Sequence, residues 1–331
     1  MDPLGIDVSK AKLDCCLLAA GKPHHKAVLN SAAGLAALLA WLTRQHAPVA
    51  ATHAVLEPTG PYHELAATAL HDAGLAVSLV NPAQARAFAR SQGRVLKNDR
   101  VDAEVLARFA LACRAAGQPL RTWSPLPAAV RHLKALLARR DCLKQDHQRE
   151  LNRREKACAG PLPAIVADSH DQLLTLLAQQ IARIEREIEQ HIDQDPDLHE
   201  QVGLLQSIPG IGPVSSSKIG AVFAAHPFTS CAQAAAYAGI VPVERTSGSS
   251  LRCPSHISKR GSADLRRALY FPAIVATTHN PVVHVFYQRL LTRGMAKKAA
   301  IVACMRKLLQ ICFGVLRSRQ PFDPLWSERF H

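Results

Sequence analysis

The sequence predicts an α/β amino-terminal domain built on a mixed sheet, followed by a mainly helical carboxy-terminal half. Three observations carry this reading. Up to residue 92, strand-length apolar runs alternate with helical segments and Gly, Pro or Asn breakers. A long basic helix then spans 128–157, and a second helix with a stepped apolar seam follows the breaker Gly160-Pro161-Leu162-Pro163. From residue 196 onward most apolar residues fall at helical spacing.

Taken in order, residues 4–18 read as a strand, a turn at Ser9-Lys10-Ala11-Lys12 and a second antiparallel strand. Gly34–Leu42 is a short helix, and His53–Glu57 a strand closed by Pro58-Thr59-Gly60-Pro61. Tyr62–Ala73 is helical and stops at Gly74, Ala76–Val80 is a strand, and Asn81-Pro82 opens the helix Ala83–Gln92. Two antiparallel strands followed by βα units fit a mixed sheet.

The helix 128–157 carries Arg131, Lys134, Arg139, Arg140, Lys144, Arg149, Arg153, Arg154 and Lys156, a density that favours nucleic-acid contact over a merely solvated face. Its successor places Leu173, Leu177, Ile181, Ile184, Ile188 and Ile192 at steps of four and three, the seam of a coiled-coil-like spacer or of an oligomer. Asp193-Gln194-Asp195-Pro196-Asp197 marks a boundary. The expected domains are 1–125, 126–195 and 196–331. Beyond the boundary, Ile208-Pro209-Gly210-Ile211-Gly212 has the look of a helix-hairpin-helix, whose turn can offer Gly210 and Gly212 backbone amides to a phosphate. Ala232–Ala238 is helical, Gly239–Val243 extended, and Glu244–Pro254 a polar loop. Ser262–Thr278, Val282–Thr292 and Ala296–Arg317 are helices holding a second core.

Composition narrows the partner. Forty Lys and Arg against 26 Asp and Glu give a formal charge of +14, which favours a polyanion over an acidic small substrate. A membrane surface is the rival, but no apolar run long enough to span a bilayer and no signal-peptide pattern are read in the sequence. The nine cysteines are odd in number and lack a C-x-x-C pair, so a reduced, cytoplasmic protein is expected rather than a zinc site or a disulfide framework.

The chemistry starts at Leu4-Gly5-Ile6-Asp7-Val8-Ser9, an apolar strand with a carboxylate inside it. A buried carboxylate is costly unless it is paired or holds a metal. Glu57, Asp99 and Asp102 are its candidate partners. Spaced i,i+3, the last two share a helix face at roughly 5–6 Å between Cβ atoms. Four oxygen ligands suit a hard divalent cation such as Mg²⁺, the equipment of phosphoryl transfer on nucleic acid. Each has an ordinary alternative, as a strand-end turn residue, a surface residue before Pro58, or helix N-terminal acids favoured by the macrodipole. Asp14, on the following strand, and Glu104, off the Asp99/Asp102 face, are assigned to that ordinary class. A second feature, Arg245-Thr246-Ser247-Gly248-Ser249-Ser250-Leu251-Arg252, sets three serine hydroxyls between two arginines. It reads as a phosphate-gripping loop, a flexible linker, or the seat of a serine nucleophile.

Together, Gly5-Ile6-Asp7-Val8-Ser9-Lys10, Glu57-Pro58-Thr59-Gly60, Asn81-Pro82, Asp99-x-x-Asp102-Ala103, Ile208-Pro209-Gly210-Ile211-Gly212 and Ser247-Gly248-Ser249-Ser250 resemble the insertion-sequence one-ten family of DEDD transposases. This family includes bridge-RNA-guided recombinases and has the Piv/MooV DNA invertases as relatives. The resemblance covers essentially the whole chain. It implies a RuvC-like, RNase H-type domain, a helical coiled-coil insertion and a C-terminal transposase domain. The acidic tetrad falls on Asp7, Glu57, Asp99 and Asp102, holding Mg²⁺, and the serine nucleophile on Ser247, with Ser249 and Ser250 as alternates. Expected partners are donor and target DNA, a structured noncoding bridge RNA and further copies of the chain, as dimers joining into a tetramer. Arg139, Arg140, Gly210, Gly212, Arg245, Arg252, Lys259 and Arg260 are the expected nucleic-acid contacts. The alternatives are a RuvC-type Holliday junction endonuclease using metal-activated water, and a non-catalytic nucleic-acid-binding protein.

Overall fold

The computed structural model describes residues 1–93, 99–247 and 251–325, with strand placement alone for 244–247 and 251–255. Lys97, Asn98, Gly248, Ser249 and Ser250 lie outside the described residues, as do the side chains of Arg245, Ser247 and Arg252. The chain divides into two compact units, Met1–Pro125 and Leu126–His331.

In the first unit, β1 (Asp2–Val8), β2 (Lys12–Ala19), β3 (Lys22–Leu29), β4 (Thr52–Leu56) and β5 (Ala76–Leu79) form one sheet in the order β3-β2-β1-β4-β5. β1 is central. It runs antiparallel to β2 and parallel to β4, which is the expected mixed sheet. Both faces of β1 are covered, which is why its sequence runs nearly continuously apolar. On one face, Leu4, Ile6, Val8, Leu13 and Leu56 pack against Leu35, Leu38 and Leu42 of α1 (Ala32–Arg44) and Ala67 and Leu70 of α2 (Tyr62–Asp72). On the other, Val55 and Val80 meet Ala85 of α3 (Pro82–Ser91) and Leu106 and Ala110 of α4 (Asp99–Ala115), while Cys16 and Leu18 meet Ala103 and Ala107. Caps define helix starts: Ser31 accepts from Gly34 N at 3.2 Å, and Asn81 from Ala83 N at 2.9 Å.

Gly5 decides how closely α4 lies on the sheet. A Cβ there overlaps the carbonyl oxygen of Ala103 and stands 2.6 Å from Ala107 N, so only glycine admits the helix backbone at this level.

β3 has no counterpart in the sequence reading. It follows a two-residue hairpin in which Ala20 and Gly21 both take positive φ, 47° and 78°, the geometry that matches strand twist. Lys22, Pro23, His24, His25 and Lys26 make it a polar edge strand, carrying the charges and proline that discourage further pairing but little hydrophobic signal.

In the second unit, α5 (Ala128–Ala157) and α6 (Ala164–Gln194) form an antiparallel hairpin, shown by Arg140 against Glu185 and Arg154 against Asp171. Val130, Leu133 and Leu137 pack with Ile188 and Ile192 at its base. Toward the tip the seam departs from the expected spacing: Leu173 is 40% exposed, whereas its neighbour Leu174 is 8% exposed. α7 (Pro196–Gln206), α8 (Pro213–Ala225), α9 (Cys231–Ala238), α10 (Ala263–His279), α11 (Pro281–Thr292) and α12 (Lys297–Ser318) build the remaining core around Ile208, Ile219, Leu269, Leu308 and Cys312.

Two expectations need correction. The segment read as a polar loop is a β-hairpin: β6 (Pro242–Ser247) pairs antiparallel with β7 (Leu251–Ile257), with a register shift between Val243 and Arg245. Polar strands of this length are held by backbone pairing and leave a weak periodic signal. And α12 is long and apolar enough to cross a membrane by length and composition. Its Ala300, Cys304, Met305, Leu308, Leu309, Cys312 and Val315 are buried in the core, which accounts for that apolarity.

Candidate active site

The site is assembled by strand register. Asp7 pairs directly with Asp14 across β1 and β2, and in an antiparallel pair directly opposed residues point to one face. On the other side Ile6 pairs with Leu56 in the parallel β1–β4 ladder, so Glu57, one residue beyond β4, comes level with Asp7. Above this face α4 begins, with Asp99 and Asp102 in its first turn, where the macrodipole favours negative charge.

Asp7 senses all of these groups. Burial pushes its carboxyl from the usual 3.8 up to about 6, reinforced by the negative charges of Asp102, Asp99, Asp14 and Glu57. One oxygen each from Asp7, Asp14 and Asp99 lie within 4.8 Å of one another. Of the four expected acids, Asp7 and Asp99 bring oxygens together, with Asp14 as the third member of that group, while Glu57 and Asp102 act on Asp7 through their charge.

Asp14 was expected outside the site because it lies on the next strand. The register reverses that: a turn closed by Ser9 N donating to Lys12 O at 3.0 Å returns the chain with Asp14 opposite Asp7. Glu104 is engaged elsewhere, 2.8 Å from Arg108 Nε and 3.8 Å from His25 Nε2. Lys12 is the residue that sequence reading missed. Its Nζ lies 3.0 Å from Asp14 Oδ2 and 2.9 Å from Asp99 Oδ2, contacts that hold its pKa above the ordinary lysine value. The available signal was its i,i+2 spacing to Asp14, which puts the two on one side of a strand. Arg86 Nη2 stands 4.0 Å from Glu57 Oε1 at the cluster's other flank.

The donor set fits a divalent cation. All ligand candidates are hard oxygens, and the mutual repulsion that adds to burial in lifting the Asp7 pKa is what such a cation relieves.

In the second unit, Ser247 ends β6. Arg139 is exposed on α5, but Arg140 is 5% exposed, with Nε 2.7 Å from Glu185 Oε1 and Nη1 3.6 Å from Asp141 Oδ1. It is a clamp within the hairpin and not a surface cation, contrary to the expected phosphate contact. Gly210, at φ 105°, lies against α10, where a Cβ would stand 3.0 Å from Ala276 and from the Pro272 carbonyl oxygen, whereas a Cβ on Gly212, the N-cap of α8, would meet open space. Lys259 and Arg260 are exposed on a turn fixed by Lys259 N donating to Gly239 O at 3.0 Å and Ser262 N to Tyr237 O at 2.6 Å.

An α/β sheet that gathers five carboxylates around its central strand defines a candidate divalent-cation centre. Comparison with known proteins places it further. Residues 4–159 match the DEDD transposase model of the IS110 group, and residues 202–288 that of the transposase IS116/IS110/IS902 family. The sequence is 32% identical over 322 residues, 97% of each chain, to the pilin gene-inverting protein of Moraxella bovis, and equally to that of Moraxella lacunata. Over 154 residues, 46% of this chain and 37% of the other, it is 27% identical to an uncharacterized 43.6 kDa protein of insertion element IS110 from Streptomyces coelicolor. A solved chain of T. thermophilus RuvC in complex with a Holliday junction substrate aligns with TM-score 0.29 at 19% identity, covering 37% of this chain and 99% of that one. The chain belongs to the IS110 family of DEDD transposases.

Proposed function

We propose that the protein is a DNA recombinase that excises and inserts a mobile element by metal-dependent strand cleavage and exchange, guided by a structured noncoding RNA. The observation that carries this reading is the carboxylate cluster on β1, β2, the end of β4 and the start of α4, with Asp7 raised to about 6. Family membership adds support, as does the likeness to pilin gene-inverting proteins.

In this reading the first unit is a RuvC-like catalytic domain, 126–195 a coiled-coil region and 196–331 a transposase domain. Asp7, Glu57, Asp99 and Asp102 hold Mg²⁺. When bound, the cation neutralises charge developing on the scissile phosphate and its leaving oxygen. The Ser247 hydroxyl attacks phosphorus and gives up its proton to solvent as the P–O bond forms, the bond to the 3′ oxygen breaks, and that oxygen takes up a proton from solvent. The 5′ phosphate is left on serine, which preserves the phosphoester energy for joining to a new end. The positive charge of the chain grips backbones while base pairing in the RNA supplies sequence. The protein works as dimers that pair into a tetramer. Exposed Arg139, Lys259 and Arg260, with Gly212 and the arginines flanking Ser247, are the proposed contacts.

The test is a denaturing gel of protein incubated with labelled donor and target DNA, bridge RNA and Mg²⁺. A covalent protein–DNA species forms with the parent and is absent in Ser247→Ala and Asp7→Asn. Cleavage without any adduct, with solvent oxygen in the product, points to water as the nucleophile and to a junction-endonuclease mechanism.

A further inference from the structure

Lys12 opens β2 two positions before Asp14, and its ammonium ties that strand to the first turn of α4 through Asp14 and Asp99. The same Asp99 supplies an oxygen to the group it forms with Asp7 and Asp14. A divalent cation at that oxygen and an ammonium 2.9 Å from the same carboxylate repel each other. In a partly solvated site such a repulsion changes an equilibrium constant by a factor of a few.

We propose that Lys12 is a built-in competitor for the divalent cation: its ammonium holds Asp99 and gives that carboxylate up on cation binding, while Asp14 keeps the ammonium at the rim. This rests on the reading of the carboxylate cluster as a cation site. Lys12 is then a positioning residue. It fixes the α4 start over β2 in register with the cluster, and it sets the concentration of free cation needed to load the site. It also gives Asp14 a purpose distinct from the tetrad, as the anchor that retains the displaced ammonium.

The experiment titrates the full-length protein with Mn²⁺ alone, without nucleic acid, read by calorimetry and by water-proton relaxation. The parent is compared with Lys12→Met, Lys12→Gln, Lys12→Arg and Lys10→Met. Removing the charge in either of two ways tightens Mn²⁺ binding about three- to tenfold. Lys12→Arg, which keeps a cation between the two acceptors, stays near the parent. Lys10→Met removes a nearby lysine that has no carboxylate partner among the described residues and shifts affinity less than about twofold. Binding by Lys12→Met but not by the parent supports the proposal in its strongest form. Equal affinity in parent and Lys12→Met overturns the proposal and leaves the cation site standing, as does equal tightening by Lys10→Met, which reports only the general field. Failure of every variant to bind Mn²⁺ removes the cation reading and this proposal with it.

Discussion

Asp7 and Asp14 face one another across the β1–β2 pair, two carboxylates opposed on a sheet face that also receives Glu57, Asp99 and Asp102. Like charges so placed are tolerated in a fold only when something else requires them.

Asp7→Asn removes the central charge of the cluster. With a chelator present at pH 8, its melting temperature rises by several degrees over the parent, a gain of about 1–2 kcal/mol after allowing for solvent screening. Strand cleavage is lost in the same variant. A melting temperature below the parent's contradicts a repulsive cluster.

The pH dependence follows from the raised Asp7 carboxyl, 3.8 to about 6. Its protonation stabilises the fold fully below the ordinary value, and this contribution is lost as pH rises through about 6. Cation binding runs oppositely, because only the carboxylate ligates. Mn²⁺ affinity is therefore flat above pH 7 and falls as pH drops through 6, by up to about tenfold per unit for this one group. Affinity unchanged down to pH 5 places the cation away from Asp7.

Gly5→Ala tests the seating of α4. The added methyl meets Ala103 and Ala107 backbone, which cannot yield without moving the helix that carries Asp99 and Asp102. A loss of about 1–3 kcal/mol in thermal or denaturant unfolding is expected, with weakened Mn²⁺ binding.

Adjacent arginines on α5 separate in their effects. Arg140→Ala leaves Glu185 without its 2.7 Å partner and destabilises by about 2 kcal/mol, Glu185 being partly exposed. Arg139→Ala leaves stability unchanged, weakens nucleic-acid binding and makes its salt dependence shallower by about one charge. Equal effects on binding contradict this division.

The pattern of what the sequence revealed has a physical basis. β1, β4 and β5 were legible because burial on both faces makes their runs apolar, and Asn81-Pro82 marked a helix start locally, whereas the Ser31 cap of α1 went unread. Asp7 and Asp99, two of the three acids whose oxygens meet, stood out in the sequence as carboxylates within or at the start of such elements. Asp14 and Lys12 were not, because their place depends on cross-strand register, fixed by a turn and not by composition. β3 hid behind the polarity an edge strand needs. Arg140 resembled its exposed neighbours, since its partner Glu185 lies 45 residues on, in another helix. β6, which ends at Ser247, and β7 were hidden for the same reason as β3, since their polar sequences carry little hydrophobic periodicity.

The most direct measurement is the anomalous-scattering map of crystals grown with Mn²⁺. A peak within coordination distance of Asp7 and flanked by carboxylates of Asp99, Asp102 and Glu57 is the predicted result. A well-ordered cluster that attracts no Mn²⁺ peak, or a peak held by other residues, contradicts the account.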